Sequence, residues 1–429
     1  MHGPLHLDIR AFRSVLFRVD SCSASRKLDA EMPVKFLLYL SNMYNPMWHS
    51  LKTTASASAR GERIQDIDSR RYDWSSKRNK RPLCLVTIAL ILLVLSTPAT
   101  LRAQTRTKEE KRKERAEQAA SLPAVICRDS DDIRALNLFY GAGGWKHAPN
   151  PSGRYTFVQE RLSGTNPKFD VEDDQGVEWR VKLDSERHDH PDRHNEPQPE
   201  TAASRLLWAA GYFVDEDYYL ADLKVLGLPT LHRGQQLVAA DGTVHGVRLK
   251  RRPRDVKRLG NWDWFDNPFL GTRELNGLRV MMALLNNWDL DVTNNAVDEV
   301  SDERRFLVSD IGASFGKTGN YFTHSKGVLE DYASSRFIEH TTADHVDFTM
   351  HTRPFFLVVF DFPYYRECTR REQITKHIPR ADARWLGQKL ALLSEQQLRD
   401  CFRAAQYTPE QIDGFARVVH ARIAALNAL

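Results

Sequence analysis

The chain has 429 residues, 41% apolar and 27% charged, an ordinary balance for a soluble globular chain and more length than one small domain needs. One large two-lobed domain with appendages is expected. The formal net charge of +5 is uneven: residues 1–120 hold about 22 Lys+Arg against about 12 Asp+Glu, so the basic total describes a leader and not a nucleic-acid surface. Of the five cysteines, Cys127, Cys368 and Cys401 lie beyond the leader without a CxxC spacing. A zinc ribbon is thereby excluded, and at most one disulfide is possible there.

In chain order, residues 1–81 read as a disordered leader or one produced by an early-called start site, since no methionine occurs between Met47 and Met281. Residues 82–103 read as a signal peptide or membrane anchor. Lys77, Arg78, Lys80 and Arg81 precede an apolar run from Leu83 to Leu95, and Ala103 supplies a small residue for cleavage. The run of roughly 13 residues is short for a span, which needs about 20. Extended to residue 101, it could hold the chain in a membrane through residues 83–101 if uncleaved. The expected location is therefore exported, periplasmic or membrane-anchored, with a buried core helix as the other reading of the run. Residues 104–125 form a charged linker without an apolar face.

The remaining chain divides into an expected N-lobe, 126–245, and a helical C-lobe, 246–429. A helix is expected over Asp131–Tyr140. Tyr155–Val158, Lys168–Val171 and Val177–Leu183 carry β-formers, the last alternating apolar and polar residues at period two. A Pro-rich loop leads to a helix over Thr201–Ala210, opened by Glu200 and stopped by Gly211. Tyr218–Leu223 and Val244–Leu249 read as strands, and Arg273–Leu285 as a helix. Thr408-Pro-Glu-Gln411 has the pattern of a capping box with proline at the first helical position. Strands first and helices afterwards define an α+β fold of two lobes.

Phosphoryl transfer needs a cation on the nucleotide phosphates and a partner to hold it, a carboxylate for the acceptor hydroxyl, and ligands for a divalent ion. The chain offers a candidate for each in a fixed order. Lys182 lies within an alternating strand and Glu200 at a helix start, where the dipole favours a carboxylate. Asp289 and Asn294 are separated by four residues, the spacing of the Asp-x-x-x-x-Asn catalytic loop. Asp310-Ile-Gly312 closes an apolar strand, as Asp-Phe-Gly does.

This ordered set resembles the protein-kinase-like superfamily, closer to HipA-type bacterial kinases and phosphoinositide kinases than to ordinary protein kinases. The segments Gly164–Asp173, Gly211–Tyr218 and Asn286–Leu290 also resemble those of a group of exported bacterial proteins. The resemblance covers about residues 130–420. It implies a two-lobed kinase-like fold and a phosphotransferase using ATP and Mg²⁺, with Mn²⁺ as the alternative ion, or a degenerate nucleotide binder on the same fold. It puts Lys182 on the α- and β-phosphates and Glu200 beside it. Asp289 becomes the catalytic carboxylate, and Asn294 and Asp310 the metal ligands. The partners it implies are a nucleotide and an unidentified acceptor.

The departures are specific. No Gly-x-Gly-x-x-Gly is present, and only Ser163-Gly164-Thr165-Asn166 with Lys168 could cap phosphates. Asn287-Trp288 replaces His-Arg, and Asp291 stands where protein kinases commonly carry lysine. No Ala-Pro-Glu follows Asp310. An extracytoplasmic binding module without catalysis is the rival reading. His188, His190, Asp192 and His194 read as a solvated loop before a zinc site. The basic run Arg248–Arg258 reads as a solvated face before an anionic-ligand surface. Trp262, Trp264, Phe265 and Phe269 are expected in the second core. A Ser-His-Asp hydrolase is dropped for want of a Gly-x-Ser-x-Gly elbow.

Overall fold

The computed structural model describes residues 110, 114 and 117–429, apart from 165, 185–195, 320–323 and 351–361. The leader, the expected signal or anchor with its membrane contact through residues 83–101, and the His188–His194 run lie outside the described residues. Among the described residues no helix is long and apolar enough to cross a membrane.

Five strands close a barrel: β2 (Tyr155–Arg161), β3 (Lys168–Asp173), β4 (Glu178–Lys182), β5 (Asp217–Leu226) and β6 (Thr243–Arg251), in the order β2-β3-β4-β6-β5. Neighbours run antiparallel except where β2 meets β5 in parallel, Tyr155 opposite Val225, which closes the barrel. Alternation decides what fills it. Phe169 and Val171, Trp179 and Val181, and Val247 and Leu249 point inward and form a separate apolar core with Tyr155, Tyr218 and Leu220. The intervening residues of β3, β4 and β6 face outward, and nearly all of them are charged.

Between β4 and β5, helix α1 (Pro197–Ala209) lies across the barrel. It begins earlier than expected: Pro197 occupies the first turn, where a missing N–H costs nothing, so Glu200 lies inside the helix and Glu196 is its N-cap. Gly211, at φ +88°, follows the end, and a Cβ there would come within 2.9 Å of the Arg128 carbonyl oxygen. The apolar face of α1 (Ala202, Ala203, Leu206 and Leu207) belongs to the second, larger core rather than to the barrel's.

That second core is less purely helical than expected. A four-stranded sheet, β1-β9-β8-β7, combines β1 (Ala124–Val125), β7 (Lys257–Gly260), β8 (Asn295–Val300) and β9 (Glu303–Val308). Ala124 and Val125 thus leave the expected linker to pair in parallel with Arg304 and Arg305. A smaller sheet joins β10 (Ile338–Thr341), β11 (His345–Phe348) and β12 (Ile378–Pro379). Helix α2 (Arg273–Leu284) is capped by the Thr272 hydroxyl, which accepts from the Leu275 N–H at 3.2 Å. Then come α3 (Leu329–Ser334), α4 (Phe362–Glu372), α5 (Arg380–Leu390), α6 (Glu395–Ala404) and α7 (Pro409–Asn427). Both capping boxes, Ser394 with Gln397 and Thr408 with Gln411, are formed.

Three further expectations are corrected. Asp131–Tyr140 holds only a 3-10 turn, Ile133–Ala135. Asp132 accepts from the Arg134 amide, and Asn137 from the amides of Phe139 and Tyr140, so side chains take the donors a helix would need. The lobe boundary expected between residues 245 and 246 falls inside β6. Trp262 and Trp264 are buried and Phe269 packs against the core, whereas Phe265 is exposed with Arg370 stacked on its ring.

Candidate functional site

The outward face of β3, β4 and β6 carries a row of directly opposed cations: Lys168 pairs in register with Lys182, and Lys182 with Arg248. Like charges at opposed positions repel, so the row persists only with counter-charges, and these arrive from two other elements. Lys182 is 3% exposed. Its ammonium lies 3.1 Å from Glu200 Oε2 and 2.8 Å from Glu196 Oε2, both contributed by α1. It also donates to both oxygens of Asp310, at 3.1 and 3.2 Å. Arg248 donates to the other Glu200 oxygen at 2.9 Å. Burial alone would push the Lys182 proton off, but Asp310, Glu196 and Glu200 outweigh it and raise its pKa well above the ordinary lysine value. Burial likewise disfavours the Asp310 carboxylate, and Lys182 with Arg248 overrides it, holding Asp310 ionised far below the usual range.

A second row lies one residue pair along the same face. Asp170 opposes Arg180, Arg180 opposes Lys250, and Lys250 opposes Asp217. Lys250 donates to Asp215 at 2.5 Å and to Ser309 Oγ at 3.1 Å, which fixes the residue just before Asp310. The basic run Arg248–Arg258 is therefore not a solvated face where it begins: Arg248 and Lys250 are buried. Asp217 lies 3.4 Å from Arg248, and burial pushes its carboxyl up to about 7.

Of the expected phosphate-capping residues, Gly164 has φ +79°, and a Cβ there would stand 2.8 Å from Lys168 Nζ. Its carbonyl accepts from Arg233 at 2.6 Å. Lys168 is half-buried and, among the described residues, makes no ion pair. Burial and the neighbouring Lys182 lower its pKa. Asn166, from the same turn, donates to Glu196. Glu196 also takes Lys326, from the segment after Asp310, and Lys326 in turn lies 5.3 Å from the centroid of the Trp288 ring. Gly312 permits that crowding, since a Cβ there would come within 3.2 Å of the Glu196 Cβ.

The expected catalytic loop leaves α2 through Asn286, at φ +54°. Buried Arg422 of α7 holds this turn, donating to the Leu284 carbonyl at 3.0 Å and to Asn286 Oδ1 at 2.8 Å. Asn287 Oδ1 accepts from the Asp289 amide at 3.3 Å. Asn294 Nδ2 donates to the Asp289 carbonyl at 2.8 Å, and the Asn294 carbonyl accepts from the amides of Ser309 and Asp310 at 2.7 and 3.1 Å. The loop and the Asp310 strand end are thus tied by backbone. The Asp289 side chain is 43% exposed, and burial followed by the charge of Asp310 raises its pKa above the usual aspartate value. Asp291 caps the turn Val292–Asn294 and meets Arg371 from α4.

Sequence reasoning missed Glu196, Arg248, Lys326 and Arg371. Glu196 stands one helical turn before Glu200, and Arg248 two residues before Lys250 on one strand face; both spacings were available as signals. Lys326 and Arg371 reach the site only through tertiary folding.

No family model matches the chain, and no curated protein matches it. Among solved structures, the chain is similar to the Helicobacter pylori proinflammatory kinase CtkA at 12% identity and a TM-score of 0.29, covering 63% of this chain and 97% of that one. It is also similar to the Golgi casein kinase at 9% identity and a TM-score of 0.30, covering 64% and 72%. A third similarity is to the Golgi casein kinase with Mn/ADP bound, at 10% identity and a TM-score of 0.24, covering 63% and 74%.

Proposed function

We propose that this chain is a kinase-like phosphotransferase that moves the γ-phosphoryl group of ATP to an acceptor hydroxyl. The carrying observation is the buried ammonium of Lys182, shared between Glu200 of α1 and Asp310 of the opposite lobe at 3.1 Å each. That is the ion-pair arrangement such chemistry uses to place phosphates. Lys182 and Lys168, which makes no ion pair among the described residues, bind the phosphate oxygens, with the Gly164 turn beside them. Asp289 accepts the acceptor proton, a role its raised pKa suits.

The donors present fit a divalent ion. Mg²⁺ takes one or two carboxylates and completes its shell with phosphates and water. The Asp310 side chain is 44% exposed and ionised, and the Asn294 amide oxygen accepts no hydrogen bond among the described residues. These two residues would hold Mg²⁺ or Mn²⁺, which supplies charge neutralisation on the phosphates when bound.

Thermal stabilisation of the full chain by ATP tests the reading. The shift is expected with Mg²⁺ or Mn²⁺ and is lost in Asp310→Ala and Asn294→Ala, both still folded. Equal stabilisation without metal would remove those roles. The second reading, an exported binding module that has lost catalysis, is favoured by the carboxylate of Asp291 beside Asp289. It predicts the same stabilisation without any phosphoryl transfer.

The reading extends to location, with residues 77–103 directing the rest of the chain across a membrane. A reporter fused after Leu429 and active on one side only, with sequencing of the mature N-terminus, tests it. Cytoplasmic reporter activity would sink the export reading, and a start at Gln104 would establish cleavage.

A further inference from the structure

The catalytic loop carries a negative charge where a positive one is needed. Asp291 lies two residues after Asp289, so a phosphoryl group passing between nucleotide and acceptor would meet two carboxylates and no loop lysine. The fold brings a cation to this place from 80 residues further along the chain. Arg371, near the end of α4, donates through Nη2 to Asp291 Oδ2 and through Nε to Glu367 Oε1 at 3.2 Å. Its Nη1 stands 3.9 Å from Asp289 Oδ1, within ion-pair range but beyond a hydrogen bond. Among the described residues Nη1 donates to nothing. The guanidinium is thus gripped on two sides by acids, and its remaining arm is left beside the carboxylate where the acceptor hydroxyl must come.

Asp291 divides its two oxygens accordingly. Oδ1 accepts from the Thr293 amide and hydroxyl at 2.8 and 2.7 Å, which shapes the turn, while Oδ2 takes Arg371. Burial works against the Arg371 charge, but Asp291, Glu367 and Asp289 more than restore it, so its pKa is raised. A fixed, planar donor fork suits phosphate oxygens better than a mobile ammonium does.

We propose that Arg371 is a catalytic residue, the cation that neutralises the phosphoryl group in flight, with Asp291 as its holder; this rests on the phosphotransferase reading above. In the step it assists, the acceptor oxygen forms a bond to the γ-phosphorus as the bond from that phosphorus to the β–γ bridging oxygen breaks. The electron pair leaves with ADP, the acceptor proton passes to Asp289, and Arg371 takes up charge on the equatorial oxygens.

The test uses the full chain with ATP and Mg²⁺ and reads two quantities: thermal stabilisation by nucleotide, and transfer of labelled γ-phosphate to the protein itself or to water. Arg371→Met should keep the stabilisation and the ATP KM while kcat falls about a thousandfold, the scale of an arginine supplied to such a transition state. Arg371→Lys should fall between the two. The double variant Arg371→Met with Asp291→Lys puts a cation in the conventional loop position and should recover about tenfold or more over Arg371→Met alone. A purely structural ion pair predicts no such rescue. Unchanged kcat in Arg371→Met, or a double variant no better than the single one, would overturn the proposal, whereas a wild type that binds ATP and transfers nothing would overturn the phosphotransferase reading it rests on. A wild type that ATP and Mg²⁺ fail to stabilise would instead overturn the nucleotide reading beneath it.

Discussion

At one end of the candidate site, Lys182 and Arg248 sit with Glu196, Glu200 and Asp217 between the barrel and α1, all but out of water. At the other end, Asp289, Asp291 and Glu367 surround Arg371 with their side chains 43%, 32% and 38% exposed. The residue types match, but the physics differs. In the buried cluster each charge depends on its partners, because a lone ion there would bear most of its desolvation cost. At the open end water takes up the slack, so single charges change partners at lower cost. The buried end is a frame, and under the reading proposed above the open end is where groups come and go.

Lys182→Met should break the frame. Three carboxylates would lose their shared cation, and removal of one partner from a buried pair costs about 3–5 kcal/mol. Chemical denaturation should show that loss together with loss of nucleotide binding; a variant of wild-type stability would mean the cluster is not a unit. Asp289→Asn should do the opposite, with stability within about 0.5 kcal/mol of wild type and transfer lowered by about 10² to 10⁴.

Acid probes the frame more gently. Lys250 and Arg258, against the cost of burial, lower the Asp215 carboxyl to about 2 from its ordinary 3.8. The unfolded chain therefore binds the proton first. The stabilisation is complete above about pH 4 and drains away as pH falls towards 2, amounting to about 2 kcal/mol. Asp215→Asn should lessen the fall of denaturation midpoints across that window, leaving the part due to Asp310. The smallest effect is expected at Lys168, which faces Lys182 across the strands. Lys168→Gln should gain a few tenths of a kcal/mol by relieving that repulsion, while the ATP affinity weakens about tenfold for the loss of a charge-assisted contact. If both quantities fell, Lys168 would belong to the frame.

Local patterns account for what the sequence disclosed. Runs of β-formers marked β2 and β3, alternation marked β4, helical spacing marked α2, and Thr408 with Gln411 marked the start of α7. The order of Lys182, Glu200, Asp289, Asn294 and Asp310 drew out residues that the fold links in a chain: Lys182 pairs with Glu200 and Asp310, and Asn294 bonds to the backbone of Asp289 and Asp310. What stayed hidden was set by distance along the chain. Arg248 read as surface because its acids, Glu200 and Asp217, sit on other elements. Glu196 was lost in a Pro-rich stretch whose prolines begin a helix instead of preventing one. Nothing near Arg371 in sequence announces Asp291. At Asp131–Tyr140 the composition suited a helix, but Asp132 and Asn137 spent their side chains on nearby amides.

Helix α1 has a consequence for control. In protein kinases, activity is governed by where the glutamate-bearing helix sits relative to the lysine. Here Ala202, Ala203, Leu206 and Leu207 of α1 are sunk in the same core as α6 and α7, and Gln198 is bonded to the Ala405 carbonyl at 3.0 Å. Swinging α1 outward would open that core and strand Glu200 at once. The Lys182–Glu200 pair is therefore a weld and not a hinge, and under the phosphotransferase reading proposed above any throttle would act on the acceptor side of the site or on the supply of nucleotide.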